Sequence, residues 1–441
     1  MKIVEKNILT SNIIKKIKSK KIKIGIVGLG FVGLPLAIHF SKKNFKVCGY
    51  DKDIKKIQYL EKNKSYISTI KSNDLNYFFN KKNFVSNNSH DLFKSDIIII
   101  CLPTPLKKNS KIPDLSFIIN FIDVNIKKIK RGTVFSLEST VYPGFTELMC
   151  KKLSRLNLKI GTDIFVIYSP EREDPGRTRH PFHTIPKICS GMTNNCLAIG
   201  RELYSKIINK VVIASSTRSA EITKLLENIY RSVNIGMINE FKIISDKMKI
   251  NIFEIIENAA TKPFGFTKFL PGPGIGGHCI PIDPYYLYWA SKKIGYKPKF
   301  IKVAGEINTF IPQWIITKLV KTCRERNIRI KKVLIIGLAY KKNVNDNRSS
   351  PSYELIKKLK NKKIKVDYYD PYLTKAHKTR EMNFNMKSIK FNKRNLKSYS
   401  ATILVTDHDA LNYDMIYKYS NLIMDTRNAF KKFKSDKIII C

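Results

Sequence analysis

Residues 22–33 read IKIGIVGLGFVG. A short apolar run leads into Gly28, Gly30 and Gly33 at GxGxxG spacing, PLAIHFSKK (35–43) continues with helical periodicity, and FKVCGYD (45–51) is a second strand ending on Asp51. Strand, glycine turn, helix, strand and an acidic residue roughly twenty positions on make one βαβ unit suited to a dinucleotide. Gly28 permits the tight turn, Gly30 lets a pyrophosphate reach the helix N-terminus, and Gly33 lets helix pack closely on strand; Phe31 and Val32 complete the turn. Asp51 is expected to accept hydrogen bonds from both adenosine ribose hydroxyls. A carboxylate there selects NAD against a cofactor bearing a 2′-phosphate.

From this unit the pattern runs outward. SDIIIICLPTP, GTVFSLEST and DIFVIYSPE are further apolar strands, expected in one parallel sheet with the first two. Ligands collect at the carboxyl ends of such strands. Pro103, Thr104 and Pro105, then Glu138, Ser139 and Thr140, then Ser169, Pro170 and Glu171 all fall there. This block closes near residue 213. A second block, 214–315, opens with a long helix over about 216–248, in which Ile222, Leu225, Leu226, Ile229, Val233, Met237, Phe241 and Ile244 trace an apolar stripe. Lys224 and Asn228 sit one turn apart, off the stripe, where they could project together into a site. A third block, 316–441, repeats strand patterns at KKVLIIGLAYKK, KIKVDYYDPY, SATILVTDHD and NLIMDTRN, with a helix over about 351–362. It lacks the three-glycine fingerprint, so it should bind something other than a dinucleotide in the usual way. Lys341, Arg348 and Arg427 at its strand ends suit phosphates. The fold class is α/β: two Rossmann-like parallel-sheet domains joined by a central helical domain.

Residues 271–283, PGPGIGGHCIPID, set Cys279 behind a glycine run with Asp283 four positions on. A single cysteine in a large protein is usually an inert buried thiol. Here the glycines allow a backbone to approach a ligand closely, and the aspartate could activate water against an adduct on sulfur, so Cys279 is the candidate nucleophile.

The chain has 441 residues, with 81 Lys+Arg against 35 Asp+Glu for a net charge of +46. Two or three domains with sizeable cores are expected. Such an excess suggests nucleic acid, yet the lysines are scattered through every segment and interleaved with Asn and Ile. They read as a lysine-rich usage laid over an ordinary enzyme, with no specific nucleic-acid partner. A basic surface still attracts anionic ligands. The eight cysteines form no CxxC pair and no secreted-type framework, and no apolar stretch has the length of a signal core or membrane span. A cytoplasmic protein without membrane association is expected, its first twenty residues an amphipathic lead-in.

Taken together, GIVGLGFVGLPLA, LPTP, ESTVYPG, SPEREDPG, AEITKLLEN, PGPGIGGHCIPIDP, AGEIN, GLAYKKNVNDNR, DPY and MDTRN, in this order and across nearly the whole chain, resemble the UDP-glucose/GDP-mannose dehydrogenase family. SPEREDPG with GGHCIPIDPYYL most resembles its UDP-N-acetyl-D-glucosamine 6-dehydrogenases. The resemblance implies oxidation of the C6 alcohol of a UDP-sugar to a carboxylate with NAD and no metal, for a surface polysaccharide precursor. UDP-glucose and UDP-N-acetylmannosamine are the alternative substrates. It also implies that Cys279 captures the aldehyde, Lys224 with Asn228 steadies the oxyanion, Asp283 attends the catalytic water, and Thr140 and Glu171 serve proton transfer and hydrolysis.

Cofactor contacts are implied for Pro103, Thr104, Ser139, Thr140 and Arg348, and substrate contacts for Glu171, Lys224, Asn228, Gly276 and Lys341. Residues 1–213 would then bind NAD, 214–315 mediate dimerisation, and 316–441 hold the UDP moiety. Ile282 and Arg172 depart from the Lys and Phe common in UDP-glucose dehydrogenases, which turns the expectation away from glucose. The family's second glutamate after SPE falls near Pro175, so that role is unassigned; Lys262 and Lys268 are merely nearby cations. A homodimer, or an assembly of dimers, is expected because the long helix is apolar around more than one face. A one-step hydroxy-acid dehydrogenase would need neither the cysteine nor the second sheet.

Overall fold

The computed structural model describes residues 7–67, 69–172, 181–376 and 384–441, in two compact units that divide between Glu227 and Asn228. In the first unit, β1 (Lys23–Val27), β2 (Lys46–Tyr50), β3 (Phe84–Ser86), β4 (Ile97–Ile100), β5 (Val134–Leu137), β6 (Phe165–Tyr168), β7 (Lys187–Gly191) and β8 (Val211–Ile213) form one sheet in the order β3-β2-β1-β4-β5-β6-β7-β8. The order reverses between β1 and β4, the switch point at which a doubly wound sheet opens a crevice. Every residue of β4, β5 and β6 is buried, which is why these strands read as unbroken apolar runs: helices cover both faces.

The five strands expected in the sheet are parallel, and one further strand, unmarked in the sequence, runs the other way. β7 runs antiparallel to β6, pairing Ile167 with Gly191 and Tyr168 with Ser190. A parallel return needs a crossover layer. Between β6 and β7 the described residues hold only the short turn Phe182–Thr184.

In the second unit, β9 (Lys332–Ile336), β10 (Lys365–Tyr369), β11 (Ala401–Leu404), β12 (Ile423–Asp425) and β13 (Ile438–Ile440) form a parallel sheet ordered β10-β9-β11-β12-β13. Its switch point lies between β9 and β11. Asp370, after β10, stands where Asp51 stands after β2, but its carboxylate is taken up internally. Leu338 N and Ala339 N donate to Oδ2 at 2.7 and 2.9 Å, and Tyr372 N and Leu373 N donate to Oδ1. His408 Nδ1 accepts from Asn343 N, which leaves the ring proton on Nε2, 3.2 Å from Asp370. Burial opposes ionisation of Asp370, yet the His408 bond and the amides outweigh it and hold its pKa low. Asp370 therefore works as a staple of this half.

Helices occupy Thr217–Lys247, Asp283–Lys293, Lys299–Glu325 and Pro351–Asn361, close to the expected spans. The long helix Thr217–Lys247 inverts the burial that its periodicity suggests. Glu221, Lys224, Asn228, Ser232, Asn239, Lys242 and Ser245 are buried, while Ile222, Leu226, Tyr230, Met237, Phe241 and Ile244 are exposed, Leu226 to 60%. The stripe residues Leu225 and Ile229 are buried as expected. Hydrophobic periodicity reports that an apolar face will be covered and is silent on what covers it. Glu221, Asn228 and Asn239 of this buried polar face are held by specific hydrogen bonds, as where Asn239 Oδ1 accepts from Gly272 N at 3.0 Å and its Nδ2 donates to Asn308 at 2.9 Å, whereas Lys242 Nζ has no hydrogen-bond partner among the described residues and lies 5.3 Å from the Trp314 ring centroid.

Candidate active site

At the end of β1, Gly28 adopts φ +89° and donates its N–H to Tyr50 O at 2.8 Å. A Cβ on Gly33 would stand 1.9 Å from Gly28 O, whereas one on Gly30 would meet nothing within 4 Å. The third glycine is thus required by packing, and the second faces open space through which a ligand's pyrophosphate can approach the backbone. Phe31 and Val32 are partly exposed beside it. Asp51, at the end of β2, accepts from Leu29 N and Asp53 N at 3.0 Å each, and Lys56 Nζ lies 2.8 Å from its Oδ2. This turn, gap and carboxylate fit NAD. Lys56 was not singled out by the sequence, since nothing in its spacing marks it as the partner of Asp51.

The ends of β4, β5 and β6 meet next to this turn. Pro103 is exposed, Thr104 buried, and Ser139 Oγ donates to Leu102 O at 2.7 Å, tying the end of β5 to that of β4. Glu171 N donates to Glu138 O at 3.4 Å, which sets Glu171 beside the loop that leaves β5 toward Thr140. Glu171 Oε1 accepts from Arg172 N at 2.6 Å, and its Oε2 lies 3.4 Å from Lys187 Nζ. Arg172 itself pairs with Glu227 at 2.6 Å and donates to Pro186 O. Pro175 lies outside the described residues. Glu221 went unmarked in the sequence: fully buried, it accepts from Gly144 N, Thr146 N and Thr146 Oγ, anchoring the turn that follows ESTVYPG. One turn on, Lys224 is also buried.

In the second unit the glycine loop is held close to its neighbours. A Cβ on Gly276 would lie 2.7 Å from Tyr340 Cβ and 2.9 Å from Pro351 Cδ, and Gly277 N donates to Arg348 O at 3.0 Å. The same packing brings Gly276, Lys341 and Arg348 into one region. Cys279 is exposed and, among the described residues, the other cysteines are buried or half-buried. Its carbonyl accepts from Ile282 N and Asp283 N at 3.1 and 2.8 Å, a turn leading straight into the helix Asp283–Lys293 with Pro284 in its first turn. Asp283 is 3% exposed, and Asn228 Nδ2 donates to its Oδ2 at 2.6 Å. Arg231 donates to Asn228 Oδ1, so both ends of the amide are oriented.

The remaining cations divide. Arg348 forks onto Asp346, whose carboxylate keeps the guanidinium charged in spite of burial. Lys341 is half-buried next to Tyr340. Arg427 donates to Val405 O at 2.8 Å and stands 3.9 Å from Asp407, and burial lowers its pKa. Lys268 is engaged by Glu257 and Lys262 lies over the Phe264 ring.

The sequence matches three domains of one family: UDP-glucose/GDP-mannose dehydrogenase family, NAD binding domain, over residues 22–208; central domain over 218–310; and UDP binding domain over 334–432. It is similar to Protein CapL of Staphylococcus aureus, 38% identical over 344 residues covering 76% of this chain and 79% of that protein. It is also similar to the UDP-N-acetyl-D-glucosamine 6-dehydrogenase of Pseudomonas aeruginosa, 34% identical over 356 residues, with 77% and 81% covered. The solved structure of a UDP-D-ManNAc dehydrogenase from Pyrococcus horikoshii superposes with a TM-score of 0.82 at 30% identity, covering 92% of this chain and 96% of that one.

Proposed function

Since the chain belongs to the UDP-glucose/GDP-mannose dehydrogenase family and is an NAD-dependent UDP-sugar dehydrogenase, we propose that it converts UDP-N-acetyl-D-glucosamine to the C6 carboxylate through a covalent adduct on Cys279. The observation that carries this reading is the pairing of an exposed cysteine with a buried, Asn228-held aspartate at the start of the following helix.

Two NAD molecules, each held in turn by Gly28, Gly30, Gly33 and Asp51, would supply the hydride acceptors for the two oxidations. Lys224 and Asn228 act on the sugar's C6 oxygen, the ammonium offsetting negative charge as the alcohol proton passes through water held with Thr140 to the Glu171 carboxylate. The Cys279 thiolate adds to the resulting aldehyde, forming the C–S bond of a thiohemiacetal and keeping the reactive carbonyl from escaping. Loss of the second hydride leaves a thioester. Glu171, with Thr140, removes a proton from water, which attacks the thioester carbon and breaks the C–S bond, releasing the carboxylate and regenerating the thiolate. Asp283 orients that water. Pro103, Thr104, Ser139 and Arg348 are assigned to the cofactor, Gly276 and Lys341 to the substrate.

Residues 1–213, 214–315 and 316–441 are read as the NAD-binding, dimerisation and UDP-binding parts. The enzyme is assigned to the cytoplasm, making surface polysaccharide precursors; among the described residues no helix is long and apolar enough to cross a membrane. A two-fold dimer is supported by the exposed apolar face of the long helix.

The N-acetylglucosamine assignment draws support from the Pseudomonas aeruginosa enzyme at 34% identity. UDP-N-acetylmannosamine, its C2 epimer, is the second reading, favoured by the Pyrococcus horikoshii structure. Purified enzyme offered both epimers and UDP-glucose in parallel decides between them. About two NADH per UDP-N-acetylglucosamine consumed is the expected result. One NADH per sugar with free aldehyde would reject the covalent scheme, and turnover of the manno epimer alone would transfer the substrate assignment.

A further inference from the structure

Beneath Glu171 lies a buried polar cluster whose other members the scheme above leaves without a role. Glu138 follows β5, Lys187 opens β7, and Tyr204 ends the helix Asn194–Tyr204. Lys187 Nζ donates to Glu138 Oε2 at 2.7 Å and reaches Glu171 Oε2 and Pro170 O at 3.4 Å each. Tyr204 OH donates to Glu138 Oε1 at 2.5 Å and also lies 2.7 Å from Ser136 Oγ, and its ring centroid is 5.0 Å from the ammonium. The side chains of Lys187 and Glu138 are 3% and 0% exposed, and that of Glu171 is 13% exposed.

Removing an ammonium and a carboxylate from water costs more than their attraction commonly returns, and an apolar pair can hold a sheet as well. The pair does one thing that an apolar pair cannot: it delivers a fixed positive charge to Glu171. We propose that Lys187 is a positioning residue, its ammonium anchored from behind by Glu138 and gripping Glu171 from in front, so that Glu171 is held in direction and kept ionised to take the proton of water. This rests on the role assigned to Glu171.

The surroundings fit that division. Burial, strengthened by Glu171 and opposed by Lys187, pushes Glu138 up to about 7, so it is the deeper carboxylate that leans toward neutrality. The two carboxylates, with burial working against them, raise the pKa of Lys187 and keep it charged. Among the described residues, the other titratable groups facing the cluster, Arg172 apart, are uncharged near neutral pH. Burial and Lys42 push His39 down to about 4, Cys189 is pushed up to about 12 by burial, and burial also raises Cys101 and Tyr204. Arg172 directs its guanidinium at Glu227 and Pro186 O.

The test compares kcat against pH for wild type, Glu171→Gln, Lys187→Arg and the double variant Glu138→Leu/Lys187→Met, which leaves no charge of the pair buried alone and so guards against simple misfolding. The double variant is expected to melt near wild type and to keep KM for UDP-sugar and NAD within about twofold, while kcat falls at least about tenfold and its acid limb rises by about one pH unit, because Glu171 has lost its cation. Lys187→Arg, which keeps the charge, should leave the limb in place. Added to Glu171→Gln, the double change should lower kcat no further. A double variant with the wild-type kcat profile overturns the proposal. So does a limb that moves equally in Lys187→Arg. If Glu171→Gln itself retains wild-type kcat, it is the role assigned to Glu171 that fails.

Discussion

Cys279 and Asp283 are separated by a single turn, yet one is exposed and the other 3% exposed, and that contrast suits their assigned roles. An attacking sulfur must reach the substrate, whereas a carboxylate that orients water is best fixed, here by Asn228. Cys279→Ser is expected to abolish steady-state NADH production while intact-mass measurement finds a slowly hydrolysing ester, since an alkoxide leaves less readily than a thiolate. Wild-type turnover in that variant would remove Cys279 from the chemistry. Asp51 is the residue assigned to the cofactor choice. A 2′-phosphate brought against this carboxylate is repelled, but Lys56 at 2.8 Å offsets part of that charge. NAD should therefore be preferred by kcat/KM, and Asp51→Asn should narrow the gap sharply because Lys56 is released to meet the phosphate. Equal use of NADP by the wild type would show the ribose contact to be misassigned.

Between β1 and β2, the helix Gly33–Lys42 is drawn against the glycine turn with no space for a methyl group. A methyl group at Gly33 meets backbone, which cannot rotate away as a side chain would. Gly33→Ala should thus cost on the order of 1–3 kcal/mol by overpacking and raise the dissociation constant for NAD, both read by thermal melts with and without cofactor. Unchanged melting and affinity would mean that the helix shifts freely. The counterpart turn in the second sheet is built differently. Its Asp370 is saturated by amides and His408, so it offers no ribose acceptor, in keeping with the expectation that this half binds its nucleotide in another way.

For the molecule as a whole, the decisive feature is the exposed apolar face of the helix Thr217–Lys247. Within the second unit the helix Lys299–Glu325 does pack on it, so closely that a Cβ on Gly236 would stand 3.1 Å from Ala304 Cα. That contact leaves Tyr230, Met237 and Phe241 uncovered, and Phe300, Val303 and Phe310 of the partner helix exposed as well. Large contiguous apolar patches on soluble proteins mark association sites. Light scattering at assay concentration should give about twice the 50.9 kDa of one chain, or a multiple of that, and Phe241→Glu should shift the mass toward one chain. Full activity at the mass of a single chain would dismiss the dimer.

The parallel-sheet architecture and the NAD turn were legible from IKIGIVGLGFVG and the iterated apolar strands, because glycine spacing and backbone periodicity are local properties of a chain. The spacing of Cys279 and Asp283 was equally legible, since a single turn of backbone sets their relation, Asp283 N donating to Cys279 O. Which residues pair across distance was not. Lys187 reads as an unremarkable lysine before a strand until β7 turns antiparallel and presents it to Glu138 and Glu171, from elsewhere in the chain. The long helix likewise announced its periodicity but not which face is covered. Glu221, Asn228 and Asn239 find their hydrogen-bond partners only after folding, and so the tertiary structure alone decided that the apolar face should remain outside.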